Sequence, residues 1–181
     1  MKELIDKCLY NWIGYGNLNG DIWFIGMEEG GAEIWREEIA TLSLEESLQI
    51  RSEHTSCCDF RKVWEEEYGI PLDKFKKITT WHFISAFLLA HQNHMIDDKS
   101  VRELIFEDKA LGTLDGNHFL CELLPLPKKS ELDFPYTDRW SSRKEYLNEV
   151  TEKSFIVTGK FKRSYLTLKG YEQICLYRAK Y

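Results

Sequence analysis

Long apolar runs and paired cysteines are both missing from this chain of 181 residues. No run approaches the length of a membrane-spanning helix, and the N-terminal residues lack the apolar core of a signal peptide. The five cysteines are odd in number and form no C-x-x-C pair, which argues against a disulfide framework and against a zinc or iron–sulfur site. We therefore expect a cytoplasmic protein with reduced thiols, no bound metal, no cofactor and no membrane partner.

Several motifs that identify a reaction are also absent. The chain has no G-x-S-x-G motif for a serine nucleophile, no Walker loop for a nucleoside triphosphate and no G-x-G-x-x-G for a dinucleotide. Its net charge of −6 argues against a protein that coats nucleic acid without specificity. Any chemistry must therefore be inferred from single residues and their places in the predicted fold.

The composition is that of a soluble globular protein, with 43% hydrophobic and 30% charged residues. The length favours one domain over residues 1–181. Short apolar runs predict four strands, and the stretches around them have mostly helical spacing. The predicted strands are Ile22–Gly26, His118–Leu124, Phe155–Thr158 and Ile174–Tyr177. Because helical stretches separate most of these strands, we expect an α/β three-layer sandwich: a central, mainly parallel four-stranded sheet flanked by helices.

The first predicted strand runs into an acidic loop that is rich in glycine. Gly26 ends the strand, Glu28 and Glu29 follow, and Gly30 and Gly31 complete the loop. Ligands of open α/β sheets bind at the carboxyl ends of the strands, and glycine lets the backbone approach a ligand closely. A carboxylate in such a loop can activate water or hold a metal, so the two glutamates are candidate catalytic residues. The simpler alternative is that both acids cap the next helix, whose dipole favours negative charge.

Glu122 is the only acid within the second predicted strand. A buried carboxylate costs desolvation free energy unless it is paired. If the second strand lies beside the first, Glu122 joins Glu28 and Glu29 in one site and contacts the ligand there. The alternative is that Glu122 is solvated near the strand end or pairs with Lys128.

Aromatic and basic residues provide candidate contacts for a nucleic acid. Trp23 and Trp35, on either side of the glycine loop, could stack on a base, although helix–sheet packing also accounts for them. Residues 151–181 contain seven basic and two acidic residues. Lys160, Lys162 and Arg163 in this segment are candidate contacts for phosphate, and a solvated basic face is the alternative.

The order of these segments resembles the uracil-DNA glycosylase-like superfamily. I-W-F-I-G-M-E-E-G, from Ile22 to Gly30, has the position of the glycine-flanked acidic loop that ends the family's first strand. H-F-L-C-E-L-L-P-L-P, from His118 to Pro127, is similar in position and in its prolines to the family's N-x-x-K-C-x-P-P strand. The F-I-V-T-G of residues 155–159 resembles the third strand. The similarity spans residues 12 to about 178, but the family's H-P-S-type histidine loop and base-recognising asparagine have no match here.

This resemblance implies a DNA-processing protein that excises a flipped base by acid-assisted hydrolysis of its N-glycosidic bond. Glu28 or Glu29 would orient the attacking water and stabilise the developing sugar cation. The implied substrate contacts are Gly26, Gly30, Gly31, Trp23, Trp35 and Glu122, with Lys160, Lys162 and Arg163 on phosphate. DNA or a nucleotide is the implied partner.

Two other functions stay open on the residues alone. One is a catalytically inactive module on the same fold that binds a nucleotide, a nucleic acid or a protein. The missing histidine loop favours this alternative. The other is a carboxylate- or metal-assisted hydrolase that uses Glu28, Glu29 and Glu122, which requires the three carboxylates to lie within a few ångströms of one another.

Overall fold

Helical segments alternate with short strands along the chain. The computed structural model describes residues 1–28, 30–31, 42–75, 78–128, 133–153, 166–167 and 174–177, and for residues 27–28, 151–153, 166–167 and 174–177 it describes the backbone alone. The α-helices are α1 (Lys2–Asn11), α2 (Leu44–Glu53), α3 (Thr79–His91), α4 (Asp98–Arg102) and α5 (Arg143–Lys153). The strands are β1 (Tyr15–Gly16), β2 (Ile22–Glu28), β3 (His118–Leu124), β4 (Leu166–Thr167) and β5 (Ile174–Tyr177). Two π-helical segments, Lys62–Glu67 and Glu103–Glu107, and a 3₁₀ turn, Leu72–Lys74, complete the set.

The start of α2 shows how local sequence sets a helix boundary. Ser43 Oγ accepts a hydrogen bond from the backbone N–H of Glu46 at 3.2 Å. The Glu46 carboxylate in turn accepts from the backbone N–H of Ser43 at 2.7 Å. This is the capping box that the S-L-E-E sequence predicts, and it satisfies two backbone donors that the helix itself leaves without partners.

The sheet contains β1, β3, β2, β5 and β4, in that order. Strands β2 and β3 run parallel, and their register places Gly26 opposite Glu122 and Glu28 opposite Leu124. The other three pairs, β1 with β3, β2 with β5 and β4 with β5, are antiparallel. The carboxyl ends of β2 and β3 therefore meet at one edge of the sheet.

The prediction of a mainly parallel, four-stranded sheet was wrong. The three strands β1, β3 and β2 form a small mixed sheet in which β2 and β3 are the parallel pair, and β5 joins β2 in the antiparallel direction. The six residues between β4 and β5 are too few for a crossover, so these strands pair as a hairpin. β1 has only two residues and shows no period in the sequence. The predicted strand Phe155–Thr158 lies outside the described residues.

Among the described residues, three apolar clusters include side chains from the two faces of β2 and β3. On one face, Ile22 and Phe24 of β2 belong to the first cluster, which includes α3 and the aromatic residues Phe60 and Trp64. Further along the same face, Leu124 belongs to the second cluster, formed with α1, α2 and α5. The third cluster lies on the opposite face and is built on Ile25, Phe119 and Cys121.

The helices of the described ranges are short. The longest is α3, with 13 residues. A helix needs about 20 residues to cross a bilayer. No helix in the described part of the chain is long and apolar enough to span a membrane.

Candidate functional site

The carboxylate of Glu122 lies directly beside Gly26. The two residues are register partners on the parallel strands β2 and β3, so they occupy the same face of the sheet. A Cβ atom built on Gly26 would overlap both carboxylate oxygens of Glu122. Any side chain at this position would displace the carboxylate, so the glycine leaves free the space that the Glu122 carboxylate occupies. The structure thus joins Glu122 to the strand end that carries the acidic loop.

Glu122 also separates two apolar clusters on its face of the sheet. Two residues before it, Leu120 packs against the first cluster, and two residues after it, Leu124 belongs to the second. Glu122 is half-buried, and its Oε2 atom is shielded from solvent. Placing a carboxylate between apolar clusters costs desolvation free energy that an apolar side chain would not cost. The position therefore indicates a polar site at the boundary of the two clusters.

The strand period places Cys121 on the opposite face from Glu122. The Cys121 thiol is fully buried, and its pKa lies well above the ordinary thiol value, first because of burial and second because of the nearby charge of Glu122. A thiol with so high a pKa is protonated at neutral pH and is a poor nucleophile. Cys121 is therefore a packing residue, and the chemistry of this edge depends on carboxylates.

The glycine loop beyond β2 is described at two residues. Gly30 is exposed, and a Cβ atom added to it would meet no heavy atom within 4 Å. Gly31 is buried and has a φ of 57°, a left-handed conformation that glycine adopts without strain. The prediction that Gly26 ends the strand was wrong, because β2 continues to Glu28, which is therefore the last strand residue and not a loop residue. The loop is therefore open beside Gly30 and constrained at Gly31.

The predicted stacking residue Trp23 is not brought to Glu122. Trp23 pairs with Phe119 in the register, and the two rings contact each other edge to face, with centroids 5.1 Å apart. Because strand residues alternate between faces, Trp23 lies on the face opposite Gly26 and Glu122. The remaining predicted site residues lie outside the described ranges, and they are Glu29, Trp35, Lys160, Lys162 and Arg163.

A buried arginine that the sequence pattern did not indicate lies between α1 and the first cluster. Arg51 of α2 is completely buried. It donates from Nε to the hydroxyl of Tyr68 at 2.9 Å, and its guanidinium lies 5.2 Å from the ring centroid of Trp12. Its positive charge also acts on the thiol of Cys8, whose pKa burial nevertheless raises to about 12. Arg51 thus holds together residues of both clusters whose boundary Glu122 occupies.

His118 lies at the amino end of β3, away from the carboxyl ends of the strands. Its imidazole is buried, and Nε2 accepts a hydrogen bond from the backbone N–H of Gly112 at 2.8 Å. Burial lowers the pKa of His118 to about 4. The imidazole is therefore neutral at pH 7, and its role is to hold the turn that precedes β3.

Neither a metal centre nor a known relative identifies the site. Across the described ranges, no three histidine, cysteine, aspartate or glutamate side chains converge so that they could hold a metal ion. No family model, curated protein or solved structure matches the chain. The carboxyl ends of β2 and β3, where Gly26 and Glu122 are neighbours, are therefore the candidate site.

Proposed function

We propose that the chain binds DNA at the carboxyl ends of β2 and β3 and hydrolyses the N-glycosidic bond of a base flipped into this site. The observation that supports the proposal is the carboxylate of Glu122 beside Gly26, at the boundary between two apolar clusters. Sites for small ligands combine mainly apolar surroundings with a few fixed polar groups, and Glu122 is a polar group in such surroundings. Glu28 ends the same strand, and Glu29 follows it in the sequence.

Glu122 has the chemistry of a base-recognising residue in this proposal. An ionised carboxylate accepts hydrogen bonds and donates none. It therefore selects a base edge that presents N–H donors, such as an amino or imide group. Apolar residues beside Glu122 favour binding of the base, because a base that stacks on them removes its own apolar area from water.

Glu28 or Glu29 then assists the reaction. A water molecule forms a bond to the sugar carbon while the bond from that carbon to the base nitrogen breaks. The base leaves with the bonding electron pair, and the proton lost by water passes to the carboxylate. A negative carboxylate in a site that excludes solvent also stabilises the positive charge that develops on the sugar.

We assign the phosphate contacts to Lys160, Lys162 and Arg163. Each contact releases counterions from DNA, so binding weakens as salt rises. Replacement of all three by alanine is expected to reduce the slope of log affinity against log salt by about 2 to 3. An unchanged slope would exclude these residues from the interface.

We propose the cytoplasm as the compartment of this protein, because its reducing conditions keep Cys8, Cys57, Cys58 and Cys121 as free thiols.

The direct test is release of a base from synthetic DNA. Single- and double-stranded oligonucleotides, each with one uracil or other altered base, are incubated with the protein and then cleaved by alkali at abasic sites. We expect Glu28→Gln or Glu29→Gln to reduce the rate of release by about 100-fold or more. Glu45→Gln, an exposed glutamate in the first turn of α2, is the matched control and should leave the rate unchanged.

Three outcomes distinguish the possible functions. Base release that depends on the acidic loop supports the glycosylase reaction. DNA binding without base release, lost in Glu122→Gln, replaces the reaction with a binding function at the same site. Neither base release nor salt-dependent DNA binding with any oligonucleotide overturns the proposal as a whole.

A further inference from the structure

The corner between α3 and α4 is fixed by hydrogen bonds at both of its ends. At the end of α3, Asn93 adopts a φ of 59°, and its N–H donates to Ala90 O at 3.0 Å. The N–H of His94 donates to Leu89 O at 2.9 Å. This pair of bonds is the Schellman motif, with asparagine in the left-handed position. The chain therefore leaves α3 in a defined direction.

The start of α4 is capped in the same defined way. Asp97 Oδ1 accepts from the backbone N–H of Ser100 at 2.7 Å. This bond holds the pKa of Asp97 below its ordinary value. Between the two caps lie only Met95 and Ile96. The capping bonds on either side fix the backbone positions between which these two residues lie.

Met95 and Ile96 are the two most exposed large apolar residues of the described part of the chain. Their exposed fractions are 72% and 54%. A backbone that is already held by hydrogen bonds loses little further conformational entropy when a partner covers its side chains. The corner thus has the properties of a preorganised contact: an apolar centre on a fixed support.

We propose that the segment from His91 to Asp98, here called the α3–α4 corner, binds the same segment of a second copy of this chain. Its sequence is H-Q-N-H-M-I-D-D, so two histidines precede the apolar pair and two aspartates follow it. Under a two-fold axis through Met95 and Ile96, the histidine side of one copy faces the aspartate side of the other. Imidazole donates to carboxylate, so the contact is complementary to itself.

A second copy fits this pattern better than an unrelated partner does. Every residue from Ala90 to Lys99 is exposed, so the histidines and the aspartates of the corner are accessible together with the apolar centre. The same histidines and aspartates do not converge into a metal site within the described residues. Stable dimers bury about 800 Å² on each partner, and an eight-residue corner buries less. The association is therefore weak, with a dissociation constant of about 100 μM.

Sedimentation of the full chain over a range of concentrations tests the contact. We expect a reversible monomer–dimer equilibrium. The double variant Met95→Ser, Ile96→Ser should weaken it by about tenfold or more. Leu114→Ser is the matched control, because Leu114 is 51% exposed in a separate turn. A monomer at all concentrations, or equal weakening by the control, overturns the proposal.

Charge reversal tests the two-fold arrangement independently of the apolar pair. His94→Asp makes the corner uniformly more acidic, and Asp98→Lys makes it more basic. Each variant alone should associate less than the unchanged chain. In His94→Asp carboxylates face each other across the axis, and in Asp98→Lys the imidazole loses the carboxylate that it faces. An equal mixture of the two variants should form a heterodimer more tightly than either forms a homodimer. A mixture that associates no better than the separate variants overturns the proposed symmetry.

Discussion

The carboxylate of Glu122 fills the space that a side chain on Gly26 would occupy, across the one parallel strand pair in the described residues. Glu122 stands between Leu120 and Leu124, which pack into different apolar clusters. The absence of a side chain on one strand thus makes room for a charge on the next. This pairing explains why a glycine and a glutamate interrupt two otherwise apolar strands.

Replacing the glycines with alanine should affect stability in a predictable order. Gly26→Ala forces the Glu122 carboxylate to move, and because that carboxylate ends a flexible side chain we expect a loss of about 1 kcal/mol. Gly30→Ala meets no neighbour and should stay within about 0.5 kcal/mol of the unchanged chain. Urea denaturation gives both values. Equal stability of the two variants would show that the carboxylate does not occupy this space.

A third glycine, Gly14, should show the largest loss of stability on replacement by alanine. Gly14 has a φ of 145°, and a Cβ atom there would overlap the backbone oxygen of Leu120, which cannot move without disturbing β3. Gly14→Ala should therefore cost more than Gly26→Ala, about 3 kcal/mol. A smaller loss than that of Gly26→Ala would contradict the backbone arrangement beside β3.

Stability should decrease as the solution becomes acidic, because His118 resists protonation in the folded state. Burial lowers its pKa to about 4, whereas an unfolded histidine has a pKa of about 6.5. Between these values the unfolded chain binds more protons than the folded chain. The contribution of His118 to the free energy of unfolding is thus complete above about pH 6.5 and is lost as the pH falls toward 4. Its full size is about 3 kcal/mol.

Denaturation midpoints measured across this pH range test the assignment. His118→Gln, whose side-chain oxygen can still accept from the N–H of Gly112, should remove most of the change in stability over this range. His91→Gln, at an exposed histidine, is the control and should preserve it. A pH profile that His118→Gln leaves unchanged would assign the acid sensitivity to other groups.

The buried arginine should show energetic coupling to Tyr68. Arg51→Lys loses the planar guanidinium over Trp12 and the Nε–H bond, so we expect a loss of about 2 kcal/mol. Tyr68→Phe should cost about 1 kcal/mol. Because both substitutions remove the same hydrogen bond, the double variant should lose about 1 kcal/mol less than the sum. Additive losses would contradict the bond.

An exposed arginine provides the control for the change of residue type. The side chain of Arg61 is 41% exposed and pairs with Glu65 on the protein surface. Surface pairs contribute little to the free energy of unfolding, so Arg61→Lys should change it by less than about 0.5 kcal/mol. A loss as large as that of Arg51→Lys would mean that burial does not explain the effect at Arg51.

Local sequence was sufficient for several elements. The apolar run ending at Gly26 predicted β2, and the run from His118 predicted β3 with the bounds that the structure has. Ser43 and Glu46 predicted the cap of α2. These features depend on the period of apolar side chains and on hydrogen bonds between residues close in the chain. Both can therefore be predicted from short stretches of sequence.

The sequence pattern did not give the directions and partners of the strands. Tyr15–Gly16 is a strand only because Leu120 and Phe119 of β3 lie beside it, and two residues show no period. The antiparallel direction of β5 follows from its pairing with β2, more than a hundred residues earlier in the chain. Hydrogen bonds between distant backbone groups decide both.

The acidic loop shows the same division. The sequence by itself predicted a strand that leads into glycines and acids, because apolar period and turn residues are local properties, but the structure continues this strand past Gly26 to Glu28. The sequence also identified Glu122 as a polar residue in an apolar strand. Only the tertiary structure decided that Gly26 and Glu122 are neighbours and that Trp23 lies on the other face, because strand register is set by contacts between segments far apart in the chain.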